Sequence, residues 1–321
     1  MRTLICVLLL STGFSTIAAE VEQQASTWLN ALSQSLKTRN FSTSFVVIKN
    51  NHAEPYHWFH GVDDTGKELE ILSLLNGPRR DVLRKDGVVS YIEPELPPYS
   101  VETYQVSGPI PSIFSGDISS LEKSYNFISL GKSRVLGRPA QIIRIVSKDK
   151  NRFGYRLWLD QESNMLLKMS VITREGIVLE QVQFTHLEFS KDLPEPLKQL
   201  QVTDLPHVVD VPKGIIDGDL QWKVNWLPSG FENIRSNYHR LSITKQATEF
   251  MLFSDGLVDV SIYINKSPVN QREPEFVMNG ATGVYSQVVK GVEVSVVGKI
   301  PSMTAQAIAD SVSLLPSAKR P

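Results

Sequence analysis

The sequence predicts an α+β chain that is mostly β: an incomplete antiparallel β-barrel wrapped on a helix, followed by a smaller α+β domain. Three observations carry this. From Phe41 onward apolar residues recur with a period of two through run after run. The runs are separated by short turn sequences, which join antiparallel neighbours. One long amphipathic helix, Glu20 to Thr38, precedes them. About ten strands in one sheet must curl, because open sheets of that size rarely stay flat, and the helix is there to be wrapped.

The amino terminus comes first. Arg2 precedes an unbroken apolar run from Leu4 to Leu10, then Ser11 to Ile17 and the small pair Ala18-Ala19, before the first acid at Glu20. This pattern predicts a secretory signal peptide over 1–19 and an exported protein. The apolar core is too short to span a bilayer. Cys6, the only cysteine, lies inside the segment to be removed, so the mature chain offers no thiol for disulfides, nucleophilic chemistry or metal binding. The chain has 321 residues, enough for two domains, and its formal net charge of -1 excludes a generally basic nucleic-acid binder.

In the helix, Val21, Ala25, Trp28, Leu29, Leu32 and Leu36 fall on one face. Strands are predicted around Phe41 to Val47, Tyr56 to His60 and Leu69 to Leu75. Next comes a hairpin, LLNGPRRDVLRKDGVVSYIEP, from Leu74 to Pro94. Asp86-Gly87 reads as a two-residue reversal of the type I′ kind. Its second arm is apolar toward both faces, so the sheet there needs two covers. Its first arm concentrates Arg79, Arg80, Arg84 and Lys85 against Asp81 alone. A strand at Tyr99 to Val106 and an irregular or helical interval at Pro109 to Lys123 follow. Five more strands span Tyr125 to Ser133, Ala140 to Lys148, Phe153 to Asp160, Met165 to Thr173 and Ile177 to Phe189. These elements make a first domain over 20–191.

Four prolines and little periodicity mark 192–218 as a linker, with a helical turn at Pro196 to Gln201. The second domain, 219–316, holds a hairpin turning at Ser254-Asp255-Gly256 and another with arms Thr282 to Val289 and Val292 to Lys299. A final helix is predicted from Pro301-Ser302, with Ala305, Ile308, Ala309, Val312 and Leu315 on one face.

Signatures of catalysis are absent: no G-x-S-x-G, no H-E-x-x-H, no glycine-rich nucleotide loop. His57 and His60, an odd number apart on a strand, face opposite ways and cannot share a metal. No enzyme activity, metal or cofactor is therefore expected. What stands out is aromatic bulk in the first domain. One by one, Trp58, Tyr91, Tyr104, Phe114, Tyr125, Phe127 and Tyr155 read as core. Together, on a half-closed barrel, they exceed what one helix can cover and suggest an apolar groove for a lipid-like ligand. Arg79, Arg80 and Arg84 would then suit its phosphorylated headgroup.

Several segments, in the same order across both domains, resemble the RseB/MucB family of periplasmic sigma-E factor regulatory proteins. They are Leu74 to Arg80 (LLNGPRR), Val89 to Pro94 (VSYIEP), Leu121 to Arg134 (LEKSYNFISLGKSR), Trp226 to Phe231 (WLPSGF) and Phe253 to Leu257 (FSDGL). The resemblance implies a LolA/LolB-like first domain and a location in the periplasm of a Gram-negative bacterium. The implied partner is the periplasmic domain of a membrane anti-sigma factor of the RseA/MucA type, shielded from proteolysis until lipopolysaccharide or lipoprotein releases it. On that reading Trp222, Trp226, Phe231 and Tyr263 of the second domain are candidates for partner contacts. A plain lipid or lipoprotein carrier is the alternative, though it would have no need of a second domain.

Overall fold

The computed structural model describes residues 13–103, 106, 108–209, 220–240, 247–267, 273–289 and 291–315, with side chains from Gln24 onward except at 238–240 and 247. The signal-peptide reading thus falls largely outside the described residues. Helix α1 runs from Gly13 to Thr38, and no described helix is long and apolar enough to cross a membrane. Ala25, Leu29, Leu32 and Leu36 are buried on its inner face, as their spacing requires.

Eleven strands follow: β1 (Asn40–Lys49), β2 (His52–Val62), β3 (Glu68–Leu74), β4 (Arg80–Lys85), β5 (Val88–Ile92), β6 (Tyr99–Glu102), β7 (Tyr125–Val135), β8 (Arg138–Ser147), β9 (Gly154–Asp160), β10 (Leu166–Ile172) and β11 (Val178–Ser190). They form one antiparallel sheet in the order β6-β5-β4-β3-β2-β1-β11-β10-β9-β8-β7. Two meanders are therefore joined at β1 and β11. The turn-by-turn reading misses one connection, because β6 and β7 follow each other in the chain yet form the two opposite edges. The segment between them, with 3-10 turns at Ser112–Ser115 and Ile118–Lys123, joins those edges and keeps the barrel open. The result is a gutter around α1, with no closed barrel.

Turn chemistry explains the tight corners. Asn50 and Asn51 both take positive φ (47° and 65°), as do Leu136 and Gly137 (54° and 74°), matching the twist that two-residue hairpins need. At the Asp86-Gly87 reversal, Asp86 takes φ 55°. The hairpin sheet does have two covers. Helix α2 (Glu195–Val202) seats Leu197 and Leu200 on its outer face against Leu69, Phe59 and Ile71. Beyond it, His207 and Val209 pair with Ser100 on the β6 edge. The described part of the expected linker, 192–209, is thus packed against the first sheet; 210–218 lies outside the described residues.

The C-terminal part contains β12 (Trp222–Val224), β13 (Glu232–Arg240), β14 (Ala247–Ser254), β15 (Asp259–Lys266), β16 (Glu275–Asn279), β17 (Thr282–Val289), β18 (Val292–Gly298), α3 (Ser302–Asp310) and β19 (Val312–Leu314). Its six-stranded sheet runs β13-β14-β15-β18-β17-β16, and β12 pairs with β19. Two expectations need correction. The last helix stops at Asp310, and Val312 belongs to β19, where pairing with Val224 takes over from helical bonds. Leu315 is correspondingly not on a helix face.

Candidate functional site

Alternation along the strands decides which side chains line the gutter. Cross-strand partners Trp58, Leu72, Val82 and Tyr91 make one inward row; His60, Glu70, Arg84 and Val89 make the next. The β6–β7 connection crosses over them. The space that remains forms two adjoining cavities that share Leu72, Gly108 and Pro109.

The smaller, about 220 Å³, lies beside α1 between Leu36, Phe45, Trp58 and Ile110, with Glu70 and Arg84 at its base. The Trp58 indole N–H donates to Glu70 Oε2 at 2.9 Å, and Arg84 Nη1 donates to Glu70 Oε1 at 2.7 Å while its Nη2 donates to Glu68. Burial pushes the Glu70 carboxyl up to about 7, with the Trp58 hydrogen bond opposing it. Burial also holds the His60 imidazole down at about 4, and its Nδ1–H donates to the Arg39 carbonyl at 2.8 Å. His60, Glu68 and Glu70 lie close enough together to suggest a cation site. The Arg84 guanidinium already bridges the two carboxylates, so the arrangement is an internal ion-pair network.

The larger cavity, about 570 Å³, opens between the two sheets. Tyr56, Leu72, Val82 and Tyr91 line it from the gutter, and Val277 and Val284 from β16 and β17. That volume falls within the range of small-molecule sites. Arg80, Lys49 and Lys299 stand at its walls. Lys49 is paired with Glu54 at 3.2 Å and Lys299 with Glu180 at 2.8 Å, whereas Arg80 has no acidic partner among the described residues.

The sequence-predicted lipid residues separate accordingly. Trp58 lines the smaller cavity, and Tyr91 and Arg80 the larger. Phe114, Tyr125, Phe127 and Tyr155 are fully buried in the core that joins the two sheets. Arg84 is buried and neutralised, and Arg79 reaches Asp81 instead of a cavity. Tyr104 lies outside the described residues. Of the predicted partner residues, Trp222 is buried, Trp226 is exposed, and Tyr263 is half-buried against Phe250 at 5.1 Å. Phe231 lies under the Arg152 guanidinium at 5.0 Å.

Arg152, which sequence reasoning passed over, holds the two sheets together. Its Nε donates to Asp255 Oδ2 at 2.7 Å, its Nη1 to Asp149 and its Nη2 to the Ser229 carbonyl. The Tyr125 hydroxyl donates to the same Asp255 oxygen at 2.7 Å, and the backbone N–H groups of Leu257 and Val258 donate to the other. Burial pushes the Tyr125 phenol far upward, so it remains a donor. Gly230, at φ 89°, passes against Ser124 with no room for a Cβ. A second contact, Asn50 Nδ2 to Asn279 Oδ1 at 3.2 Å together with Lys299 to Glu180, lies on the cavity side and is wetter.

Comparison with known proteins now bears on this geometry. Residues 24–209 match the model of the MucB/RseB N-terminal domain and residues 217–313 that of the MucB/RseB C-terminal domain. The sigma-E factor regulatory protein RseB of Salmonella typhimurium is 32% identical over 285 residues, 88% of each chain. The sigma factor AlgU regulatory protein MucB of Pseudomonas aeruginosa is 30% identical over 319 residues, 97% of this chain and 98% of its own. The solved Pseudomonas aeruginosa MucA/MucB complex superposes with a TM-score of 0.73 at 29% identity, covering 92% of this chain and 100% of that one. Another solved structure of MucB gives 0.60 at 27% identity, covering 91% of this chain and 98% of that one.

Proposed function

The chain belongs to the MucB/RseB family, and from that premise we propose that it restrains a sigma-E-type envelope stress response from the periplasm of a Gram-negative bacterium. It holds the periplasmic domain of a membrane anti-sigma factor, shields it from regulated proteolysis, and releases it when lipopolysaccharide or a mislocalised lipoprotein enters the groove. The observation that carries the reading is the superposition over nine-tenths of the chain, which is better on MucB solved with MucA than on the other solved MucB. Two sheets gripping one partner segment make the second contact at a high effective concentration, so modest patches add up to a firm hold.

Release follows from reciprocity. A ligand in the cavity between the sheets that favours another spacing of them weakens the partner by its differential binding, and a few kcal/mol suffices. An acyl chain supplies about 0.8 kcal/mol per buried methylene, so about ten methylenes reach micromolar affinity. A simple carrier would need the gutter alone. The buried Arg152–Asp255 junction commits the second sheet to it, which favours the regulatory reading.

The test is retention of a MucA-type periplasmic domain on the purified mature chain, with and without lipid A. Retention that lipid A abolishes, with faster proteolysis of the released segment, is the expected result. Failure to retain the segment in lipid-free buffer would rule the proposal out.

A further inference from the structure

The outer face of the gutter carries a feature that lies outside both cavities. Two cross-strand rows run over it. One reads Ile128, Arg144, Arg156, Ser170, Gln181 and Ile48; the next reads Ile142, Trp158, Lys168, Gln183 and Val46. Neither row contains an acid. Arg144 stands directly opposite Arg156, and like charges in that position destabilise a sheet. Lys168 Nζ lies 4.7 Å from the Trp158 ring and the Arg156 guanidinium 5.9 Å from it, one indole serving two cations. Among the described residues none of the three cations is in a salt bridge, and the Nε atoms of Arg144 and Arg156 are buried without a hydrogen-bond partner. Burial and the neighbouring Arg156 hold the Lys168 ammonium below its usual range. The helices pack elsewhere: α1 inside the gutter, α2 on β2 and β3, and α3 on β17 and β18.

We propose that the outer face of β8, β9 and β10 docks on an anionic phospholipid surface, with Arg144, Arg156 and Lys168 over lipid phosphates and Trp158 at headgroup depth. Charge complementarity calls for an anion, since the described residues pair none with these cations. The groups around the cations decide which anion. Ile128, Ile142, Val46 and the exposed Ile48 are apolar, and Trp158 is amphipathic, a mixture suited to the boundary between headgroups and acyl chains. An acidic peptide would instead need pockets or a free strand edge, and this patch lies in the interior of a sheet. Three cations give a reversible, salt-sensitive attachment that falls well short of insertion.

The experiment is co-sedimentation of the mature chain with vesicles of phosphatidylcholine alone or mixed with phosphatidylglycerol. Binding is expected only to the mixed vesicles, declining as salt is raised. Arg144→Gln, Arg156→Gln and Lys168→Gln should each weaken it about fivefold, and the triple variant by about a hundredfold. The thermal transition of the triple variant should be no lower than that of the wild type, since an Arg–Arg pair is relieved, and retention of a MucA-type segment should be unchanged, which separates this proposal from the regulatory one. Brominated phosphatidylglycerol should quench the wild-type tryptophan emission and lose most of that effect in Trp158→Phe. Equal binding to phosphatidylcholine, an unaffected triple variant, or binding to soluble polyglutamate with none to vesicles would each overturn the proposal. The salt series and the quenching use the wild-type chain, so a variant that fails to fold does not protect the idea.

Discussion

His60 stacks on Phe41 with ring centroids 5.0 Å apart and is kept neutral by burial. Its folded value of about 4 lies below the 6.5 of an unfolded histidine. The unfolded chain therefore binds the extra proton between those values, and stability is lost as pH falls from about 6.5 toward 4. Compared by denaturant unfolding, His60→Gln should gain on the wild type by about 3 kcal/mol over that window; a constant difference would contradict the assignment. At the junction, Arg152→Ala leaves the Asp255 carboxylate buried without its cation, with an expected cost of about 3–5 kcal/mol. Tyr125→Phe, removing one of four donors, should cost about 1 kcal/mol. Arg84 shows what residue type alone conceals: the run of basic residues is visible in the chain, but its neutralisation by Glu68 and Glu70 depends on strands β3 and β4 lying side by side.

Among the elements, α2 does more than join two parts. Leu197 is fully buried over β2 and β3, so Leu197→Ala should cost about 2–5 kcal/mol and expose the outer face of the hairpin sheet. Hydrogen exchange should then rise at Leu69 and Ile71 before the rest of the gutter, and uniform loss would argue against local docking. Most strands were legible because their alternation has a period of two and Leu136-Gly137 or Asp255-Gly256 punctuates them. β13 and β16 were passed over, since Glu232 to Arg240 is a polar edge strand and Glu275 to Asn279 a short edge strand with Phe276, Val277 and Met278 in succession, so that pairing, not apolar alternation, makes them strands. Asn50-Asn51 is a turn signal that could have lengthened β2 back to His52.

For the molecule as a whole, the two contacts between the sheets differ in kind. The Arg152–Asp255 end is dry and has all its hydrogen bonds, while the Asn50–Asn279 end borders the larger cavity. A ligand entering that cavity meets the weaker end, so opening should pivot about the stronger one. Cysteines at positions 50 and 279 joined by a short bismaleimide should leave partner binding intact and make it insensitive to lipid A; unchanged sensitivity would sink the pivot. Gly230→Ala, with no space beside Ser124, should loosen the junction itself and weaken partner retention along with stability.

By itself the sequence determined the fold class, the chain order of the first sheet's strands, the aromatic surplus and the family, because alternation, turn residues and ordered motifs are local properties of the chain. Tertiary structure alone decided that β1 pairs with β11, that Phe114, Phe127 and Tyr155 are spent on core while Trp58 and Tyr91 face open space, and that Arg152 meets Asp255. Those outcomes rest on contacts between residues far apart in the chain. Whether a side chain is buried, paired or available depends on what arrives across from it, and no local pattern encodes that arrival.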